Sequence, residues 1–199
     1  MKPFTKITSR LAPLPNKDVD TDQIIPANYL KATTKEGLAE GLFYRWRFGP
    51  DGNPREEFPL NKPEYQGAQI LLTGDNFGCG SSREHAAWAI TGSGYRAVIS
   101  SSFADIFKSN SLKNGLLPVT VDERTLQELF TIVEGDPVAE VTINLEDQSL
   151  TMPNGRRTTF PIDPFSKVCL LEGVEQLGYL LKHEAEIAAY EQRRESSFE

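Results

Sequence analysis

The chain has 199 residues, of which 39% are hydrophobic, and its 28 acidic and 21 basic residues give a net charge of −7 at pH 7. This hydrophobic content predicts a globular domain with a sizeable core, and the acidic balance argues against nucleic acid as a partner. The apolar runs fall far short of the roughly 20 residues that cross a bilayer, and the amino-terminal segment lacks the apolar stretch of a signal peptide. We therefore expect a cytoplasmic protein without membrane contact.

The first third of the sequence predicts one strand and then little regular structure. A strand and turn are expected over residues 4–14, and the polar segment that follows, up to Lys31, is expected to be a loop. Residues 33–63 contain four glycines and several prolines, and their aromatic side chains show no steady period. Long segments without a pattern are usually disordered or functional. Because these aromatics lack an obvious packing partner, we expect residues 33–63 to be poorly ordered in the isolated chain or to contact a neighbouring copy.

Strands and helices alternate between residues 69 and 134. The sequence predicts strands in AQILLTG, YRAVISS and LLPVTV. Helices are expected up to about residue 92, across SFADIFKSNSLKNG with Ser102 as N-cap and Gly115 as C-cap, and across DERTLQELFTIVEG from an aspartate cap to a glycine stop. Such alternation implies an α/β protein with a parallel sheet, in which ligands collect beyond the carboxyl ends of the strands.

The last third of the sequence adds a hairpin and a helical end. The alternation in PVAEVTINLEDQSLTM predicts the hairpin, and residues from about 163 to 195 predict two or three helices. No internal repeat is visible. We therefore treat residues 1–199 as a single domain with a long irregular segment at about 29–63.

The segment GDNFGCGSSREHAAWAI lies between the first predicted parallel strand and its helix. Gly78 and Gly80 allow the backbone to take positive φ or to approach another group closely. Ser81 and Glu84 have the spacing of a capping box, in which a serine oxygen accepts from an early helix N–H group. The same helix start offers unpaired N–H groups and a positive dipole end, which attract carboxylate or phosphate. Both interpretations, a cap and an anion site, are open at this point.

Arg83 stands in the first turn of the same helix, where its positive charge is unfavourable for the helix dipole. Its planar guanidinium suits a bidentate grip on a carboxylate. A solvent-exposed or ion-paired side chain is the alternative.

Several common sites are excluded by the sequence. The dinucleotide fingerprint, the phosphate loop and the nucleophile elbow are absent. The two histidines, His85 and His183, form no zinc-type pair on a helix, and we expect His85 to pack or to form hydrogen bonds. The two cysteines, Cys79 and Cys169, are too few for an iron–sulfur cluster or a disulfide framework. We expect reduced thiols and no metal bound by this chain, with Cys79 either a small buried side chain or a redox-sensitive thiol.

Three blocks, NFGCGSSREHA, DVDTDQIIPANYLK and SFADIFKSNSLKNGLLPV, together resemble the small subunits of bacterial 3-isopropylmalate dehydratases, the isopropylmalate isomerases of leucine biosynthesis. The resemblance spans nearly the whole chain. GSSRE followed by HAA is shared with aconitase-type hydro-lyases, whose mobile C-terminal domain the chain resembles. The resemblance implies a swivelling β/β/α domain that closes over a site held by a separate large subunit, as a heterodimer. It also implies a [4Fe-4S] cluster bound by three cysteines of that large subunit.

The resemblance implies roles for Ser81, Ser82 and Arg83. In aconitase-type enzymes the first serine of this motif removes a proton from carbon while the cluster iron withdraws the hydroxyl as a Lewis acid. Carried over, Ser81 is the catalytic base, and Ser82 with Arg83 binds a substrate carboxylate. The implied reaction isomerises 2-isopropylmalate to 3-isopropylmalate through 2-isopropylmaleate. A helix N-terminus and Arg83 would lower the free energy of a serine alkoxide at Ser81. Because Ser81 then faces the ligand, Ser82 is free to cap the helix.

The chain departs from aconitase after the stretch NYLK. Aconitase has an arginine there that meets an extra substrate carboxylate, whereas here no arginine follows Lys31 before Arg45. We therefore expect residues 29–46 to form a specificity lid, with Tyr29, Leu30 and Lys31 contacting substrate and Leu30 as the apolar contact. The alternative is that residues 29–46 form an ordinary surface loop. Two other functions also stay open: the same chemistry on homoaconitate, citraconate or dimethylmalate, and a non-catalytic lid or regulatory subunit.

Overall fold

A computed structural model describes residues 1–195 of the chain. The strands in this part are β1 (Lys6–Leu14), β2 (Ile70–Thr73), β3 (Ala97–Ser100), β4 (Leu117–Thr120), β5 (Glu140–Asn144), β6 (Ser149–Thr151) and β7 (Arg157–Thr159). They form one mixed sheet in the order β4-β3-β2-β1-β5-β6-β7.

Helices flank this sheet in the described residues. They are α1 (Thr21–Ile24), α2 (Tyr44–Arg47), α3 (Glu84–Gly92), α4 (Asp105–Lys113), α5 (Glu123–Gly135), α6 (Pro164–Glu172), α7 (Gln176–Lys182) and α8 (Glu184–Glu195). Short 3-10 turns cover Ala27–Lys31, Leu38–Gly41, Pro59–Asn61 and Pro63–Tyr65. Within residues 1–195, no helix combines the length and the apolar character needed to cross a membrane.

Strand β1 joins a parallel half of the sheet to an antiparallel half. It runs parallel to β2, and β2, β3 and β4 are parallel to one another, as the alternation of strands and helices predicts. On its other edge β1 runs antiparallel to β5, which forms the predicted hairpin with β6. Strand β7, which the sequence analysis did not predict, extends this hairpin.

Both faces of the parallel half are buried. Ile70 and Leu72 pack in one core cluster with Leu126 of α5, whereas Leu71 packs in a second cluster with Ile90 of α3. Successive side chains of a strand point to opposite faces, so the two clusters lie on opposite sides of the sheet. The continuous apolar sequence of β2 follows from this double burial.

The observed cap residues match the sequence-based prediction for α5 and differ from it for α4. The Asp122 carboxylate accepts from the Thr125 N–H at 2.7 Å and caps α5, as predicted. The prediction of Ser102 as the N-cap of α4 is wrong, because Ala104 occupies that position without a side-chain bond. At the other end of α4, Asn114 is the C-cap rather than Gly115, which follows it with φ +78°.

The segment between β1 and β2 is more regular than expected. The expected loop before Lys31 contains α1, which a reciprocal capping box between Asp20 and Gln23 begins. In residues 33–63 the aromatic side chains have packing partners, so that part of the expectation is wrong. Phe43 is fully buried and stacks on Trp46 with ring centroids 5.7 Å apart. These aromatics complete the core cluster beneath α3.

Candidate active site

The loop that follows β2 is bound on one side by the segment before α1. The Gly78 N–H donates to the Val19 carbonyl at 2.8 Å, and the Thr21 N–H donates to the Cys79 carbonyl at 2.9 Å. The Asp18 N–H donates to the Asp75 carbonyl at 2.9 Å. Backbone bonds of this kind, spread along the loop, fix its path at the carboxyl edge of the sheet.

The other side of the loop is bound by the residues after β3. The Ser101 and Ser102 hydroxyls donate to the same Asp75 oxygen, at 2.9 and 2.6 Å. Ser102 also accepts from the Asn76 N–H at 2.9 Å, which explains why its hydroxyl does not cap α4. The two serine hydroxyls hold the pKa of Asp75 below its usual value, because they stabilise the ionised carboxylate.

Gly78 and Gly80 of the loop are required by geometry, as the sequence analysis predicts. Gly78 has φ +80° and Gly80 has φ +84°, in the region that favours glycine. A Cβ added at Gly78 would overlap the ring of Phe107, and one at Gly80 would overlap the carboxylate of Asp20. At both positions the backbone lies so close to its neighbour, Phe107 or Asp20, that only glycine fits.

Ser81 and Ser82 lie at the exposed end of this loop. The capping-box interpretation of Ser81 and Glu84 is not realised, and Ser82 is not the cap either, because Arg83 is the N-cap residue of α3 and makes no side-chain cap bond. Glu84 instead accepts from Asn114 at 2.7 Å. Neither serine hydroxyl bonds to any group of residues 1–195, so both are available to a ligand.

The backbone of Ser81 is nevertheless fixed. Its carbonyl accepts from the Thr21 hydroxyl at 2.9 Å and from the Arg83 N–H at 2.8 Å. An available hydroxyl on an anchored backbone is the arrangement expected of a group that reacts with, or binds, a small molecule.

Arg83 forms an ion pair with Asp22 of α1. The arginine side chain is 17% exposed and the aspartate side chain 45% exposed, so the pair lies at the rim of the domain. Asp22 meets one nitrogen of the guanidinium, whose other N–H groups bond to nothing in the described part of the chain. The ion-paired alternative is thus realised, and donors for a carboxylate remain.

Tyr29, Leu30 and Lys31 lie together on the turn Ala27–Lys31. Lys31 is exposed and Leu30 is half-buried. The Tyr29 ring packs over Gly41, where an added Cβ would lie 2.9 Å from the ring. Burial raises the pKa of Tyr29, and the neighbouring Tyr44 and Glu40 raise it further, so its phenol stays protonated.

Helix α3 holds the segment that contains this turn. The Nε2 atom of His85 lies 3.0 Å from the carbonyl oxygen of Ala32, which confirms the hydrogen-bonding role expected of this histidine. Lys35 lies over the ring of Trp88, 5.6 Å from its centroid. The turn is therefore tied to the helix whose first residues follow Ser81 and Arg83.

Sequence analysis missed Thr21 and Asp22. Both act on the loop from about 60 residues away in the chain, Thr21 through the Ser81 carbonyl and Asp22 through Arg83. The closely spaced aspartates of DVDTDQ, and the aspartate-to-glutamine spacing of a capping box, were the available signals. Neither signal identifies the partner.

The chain does not fit an iron–sulfur cluster. Cys79 is half-buried in the loop after β2, and Cys169 is buried in α6. Among residues 1–195 no three histidine, cysteine or acidic side chains are placed to hold a metal ion. Burial, with the charges of Asp20 and Asp18, raises the pKa of Cys79, so its thiol keeps its proton at neutral pH.

Known proteins are similar to this chain in sequence and in fold. The family model for the aconitase C-terminal domain matches residues 1–124, and a second model, described as LeuD_N, matches residues 127–164. The 3-isopropylmalate dehydratase small subunit of Roseiflexus sp. (strain RS-1) is 60% identical over 194 residues, which cover 98% of this chain and 95% of the relative. The small subunit of the same name from Chloroflexus aurantiacus (strain J-10-fl) is 56% identical over 191 residues, 96% of this chain and 95% of the relative.

A solved structure agrees with these sequence matches. The crystal structure of a 3-isopropylmalate dehydratase from Methanocaldococcus jannaschii has a TM-score of 0.65 to this chain at 30% identity. The match covers 93% of this chain and 99% of that one. On these matches, the chain belongs to the family of 3-isopropylmalate dehydratase small subunits, built on the aconitase C-terminal fold.

Proposed function

We propose that this chain is the small subunit of a two-subunit, cytoplasmic enzyme of leucine biosynthesis that interconverts 2-isopropylmalate and 3-isopropylmalate through 2-isopropylmaleate. The observation that carries the proposal is the Ser81 hydroxyl, exposed and without a hydrogen bond in residues 1–195, on a backbone that Thr21 and Arg83 anchor. The chain is 60% identical over nearly its full length to a relative named 3-isopropylmalate dehydratase small subunit, which supports the proposed substrate.

Ser81 acts as the base in this scheme. Its oxygen takes a proton from the substrate carbon next to the one that bears the hydroxyl, the C–H electron pair becomes the second bond of the alkene, and hydroxide leaves on the side of the large subunit. Adding water back with the opposite regiochemistry gives the isomer. The charge of Arg83 and the N-terminus of α3 favour the ionised serine that such a base needs.

Ser82 and Arg83 bind a substrate carboxylate. The guanidinium offers N–H groups beyond the one that meets Asp22, and the Ser82 hydroxyl adds a neutral donor beside them. Tyr29, Leu30 and Lys31 line the substrate from the turn Ala27–Lys31, with Leu30 next to the isopropyl group. The family's iron–sulfur cluster is assigned to the large subunit, because the two cysteines of this chain lie in separate elements.

The test is Ser81→Ala in the enzyme assembled with its large subunit. Turnover should fall by about 10²- to 10⁴-fold with little change in KM, because proton transfer belongs to the transition state. The free energy of unfolding should stay the same, since the Ser81 hydroxyl bonds to nothing in residues 1–195. Ser82→Ala is the matched variant and should raise KM instead.

The assay also decides between the alternatives. Turnover within a few-fold of wild type, with the cluster intact, would make this chain a non-catalytic lid. Homoaconitate, citraconate and 2,3-dimethylmalate are assayed beside 2-isopropylmalate. A preference for one of them would keep the chemistry and overturn the proposed substrate.

A further inference from the structure

A cleft of about 730 Å³ lies at the amino ends of the parallel strands. Residues 66–69, 93–96 and 114–115, which lead into β2, β3 and β4, form much of its wall. The Ser81 loop leaves β2 at its carboxyl end, so the cleft and the loop lie at opposite ends of these strands. None of the proposed substrate contacts lines the cleft, whose volume is typical of sites for small molecules.

Positive charge predominates in this cleft. Four cationic side chains line it, against the single carboxylate of Glu175. The four are Lys2, Lys35, Arg47 and Arg96. Within residues 1–195 none of them forms an ion pair with an acidic side chain. In a chain of net charge −7, such a concentration of unpaired cations indicates a site for an anion.

Two polar groups beside the cations have no partner among the described residues, and one of them is buried. The hydroxyl of Tyr95, which lines the cleft, forms no hydrogen bond with another described residue. The Nε atom of Arg96 is buried and has no partner within residues 1–195. An unpaired buried donor is unfavourable, so native proteins usually satisfy such a group with a partner or a ligand.

Tyr95 is suited to donate to an anion. Burial raises the pKa of Tyr95 to about 12, while the nearby Arg47 opposes the rise, so the phenol keeps its proton at neutral pH. Arg47 and Lys35 come from the segment between β1 and β2, whereas Tyr95 and Arg96 come immediately before β3. An anion in the cleft would therefore contact both parts of the molecule.

We propose that this cleft binds a small organic anion through a phosphate or carboxylate group, with Arg47 and Lys35 pairing with the anion and Tyr95 donating a hydrogen bond. Bound in this way, the anion joins the 33–63 segment to the amino edge of the sheet. The inference does not rest on the proposed catalytic function, because it uses none of the residues assigned to it.

Calorimetric titration of the full chain tests the site. Pyrophosphate and malonate are the probes, with sodium chloride at equal ionic strength as the reference. Saturable binding of one anion per chain is expected for at least one probe, and the stronger one shows whether phosphate or carboxylate is preferred. Absence of saturable binding for both would overturn the proposal.

Variants locate the binding within the molecule. Arg47→Gln should weaken it by about ten-fold or more, and Tyr95→Phe by a few-fold, since each removes a donor to the anion. Arg45→Gln is the matched control, because Arg45 is exposed on the same helix and does not line the cleft. Arg47 also donates to Asn61, so Tyr95→Phe, which breaks no hydrogen bond among the described residues, keeps the test valid if Arg47→Gln unfolds.

Two further results would contradict the proposal. Equal weakening by Arg45→Gln would show non-specific attraction rather than a site. Loss of binding in the complex with the large subunit would show that the partner covers the cleft.

Discussion

Arg83 is held by a carboxylate from another element before any substrate binds. Asp22 meets one guanidinium nitrogen and leaves the other N–H groups without a partner in residues 1–195. A guanidinium that is already oriented loses less conformational freedom when it grips a carboxylate. In the proposed site, the ion pair therefore orients Arg83 for a substrate carboxylate and neutralises part of its charge.

Replacing Arg83 with lysine separates charge from shape. Lysine keeps the positive charge but loses the planar fork, so we expect substrate binding to weaken by about 1–3 kcal/mol. The measurement is KM of the assembled enzyme, together with a substrate dissociation constant. Asp22→Asn is the control, because it leaves the guanidinium of Arg83 intact and should weaken binding less than Arg83→Lys does. An unchanged KM in Arg83→Lys would remove Arg83 from the substrate site.

Gly80 tests the close approach of the loop to Asp20. Gly80→Ala should destabilise the chain by roughly 1–3 kcal/mol, because it adds both a strained φ and an overlap with the Asp20 carboxylate. Gly94→Ala is the control: its φ is +95°, but nothing lies within 4 Å of an added Cβ. Urea unfolding should show the larger loss for Gly80→Ala. Equal losses would mean that Asp20 moves aside freely.

At the scale of elements, Asp75 joins the loops that follow two neighbouring parallel strands. It is the second residue after β2 and accepts from Ser101 and Ser102, the first two residues after β3. The parallel sheet brings these two strand ends side by side, and the carboxylate fastens them. The geometry of the Ser81 loop thus depends on an ionised side chain.

This dependence predicts an effect of pH on stability. The folded pKa of Asp75 lies below its ordinary value of 3.8, so its contribution is complete above about pH 3.8 and is lost as pH falls through the folded pKa. Asp75→Asn should therefore lose less stability than wild type between pH 7 and pH 3 in urea unfolding. Ser102→Ala, which removes one donor, should fall between the two. Identical pH profiles for all three would contradict the assignment.

The sequence predicts the elements whose pattern is local. Strands β2 to β4 and helices α3 to α5 follow from apolar periodicity, and the Asp122 cap follows from its position before α5. The short helices α1 and α2 escape notice, because four residues carry no period and long-range contacts hold them, such as the Phe43 N–H to the Ile24 carbonyl at 2.8 Å. Ser102 was misassigned for the same reason, since its partner Asp75 lies 27 residues earlier.

The same limit applies to the site. The position of Ser81 and Arg83 at the carboxyl edge of the sheet is predictable from the order of strands and helices. The Asp22 ion pair is not, because nothing in the local sequence says which acidic side chain of DVDTDQ reaches Arg83. Substrate contacts by Tyr29, Leu30 and Lys31 remain a prediction.

At the scale of the whole molecule, the chain leaves the end of the Ser81 loop at its surface. Ser81 and Ser82 are exposed there, and the described residues supply no group suited to hold a metal ion. We therefore expect the purified chain to be colourless, iron-free and inactive. Co-expression with the large subunit should give a complex that contains iron and is active. Iron analysis and the isomerase assay on both preparations check this, and stoichiometric iron on the chain alone would contradict it.

Helix α3 and the segment over residues 29–46 are held together by hydrogen bonds at both ends of the helix. His85 binds the Ala32 carbonyl, and Ser93 at the end of α3 donates to the Ala39 carbonyl at 3.3 Å. A transplant of residues 29–46 alone, from a relative that acts on another acid, would arrive without the helix surface shaped to receive it. On the prediction that residues 29–46 form the specificity lid, substrate preference depends on two distant stretches of sequence, and a chimera that carries both is the smallest graft expected to work.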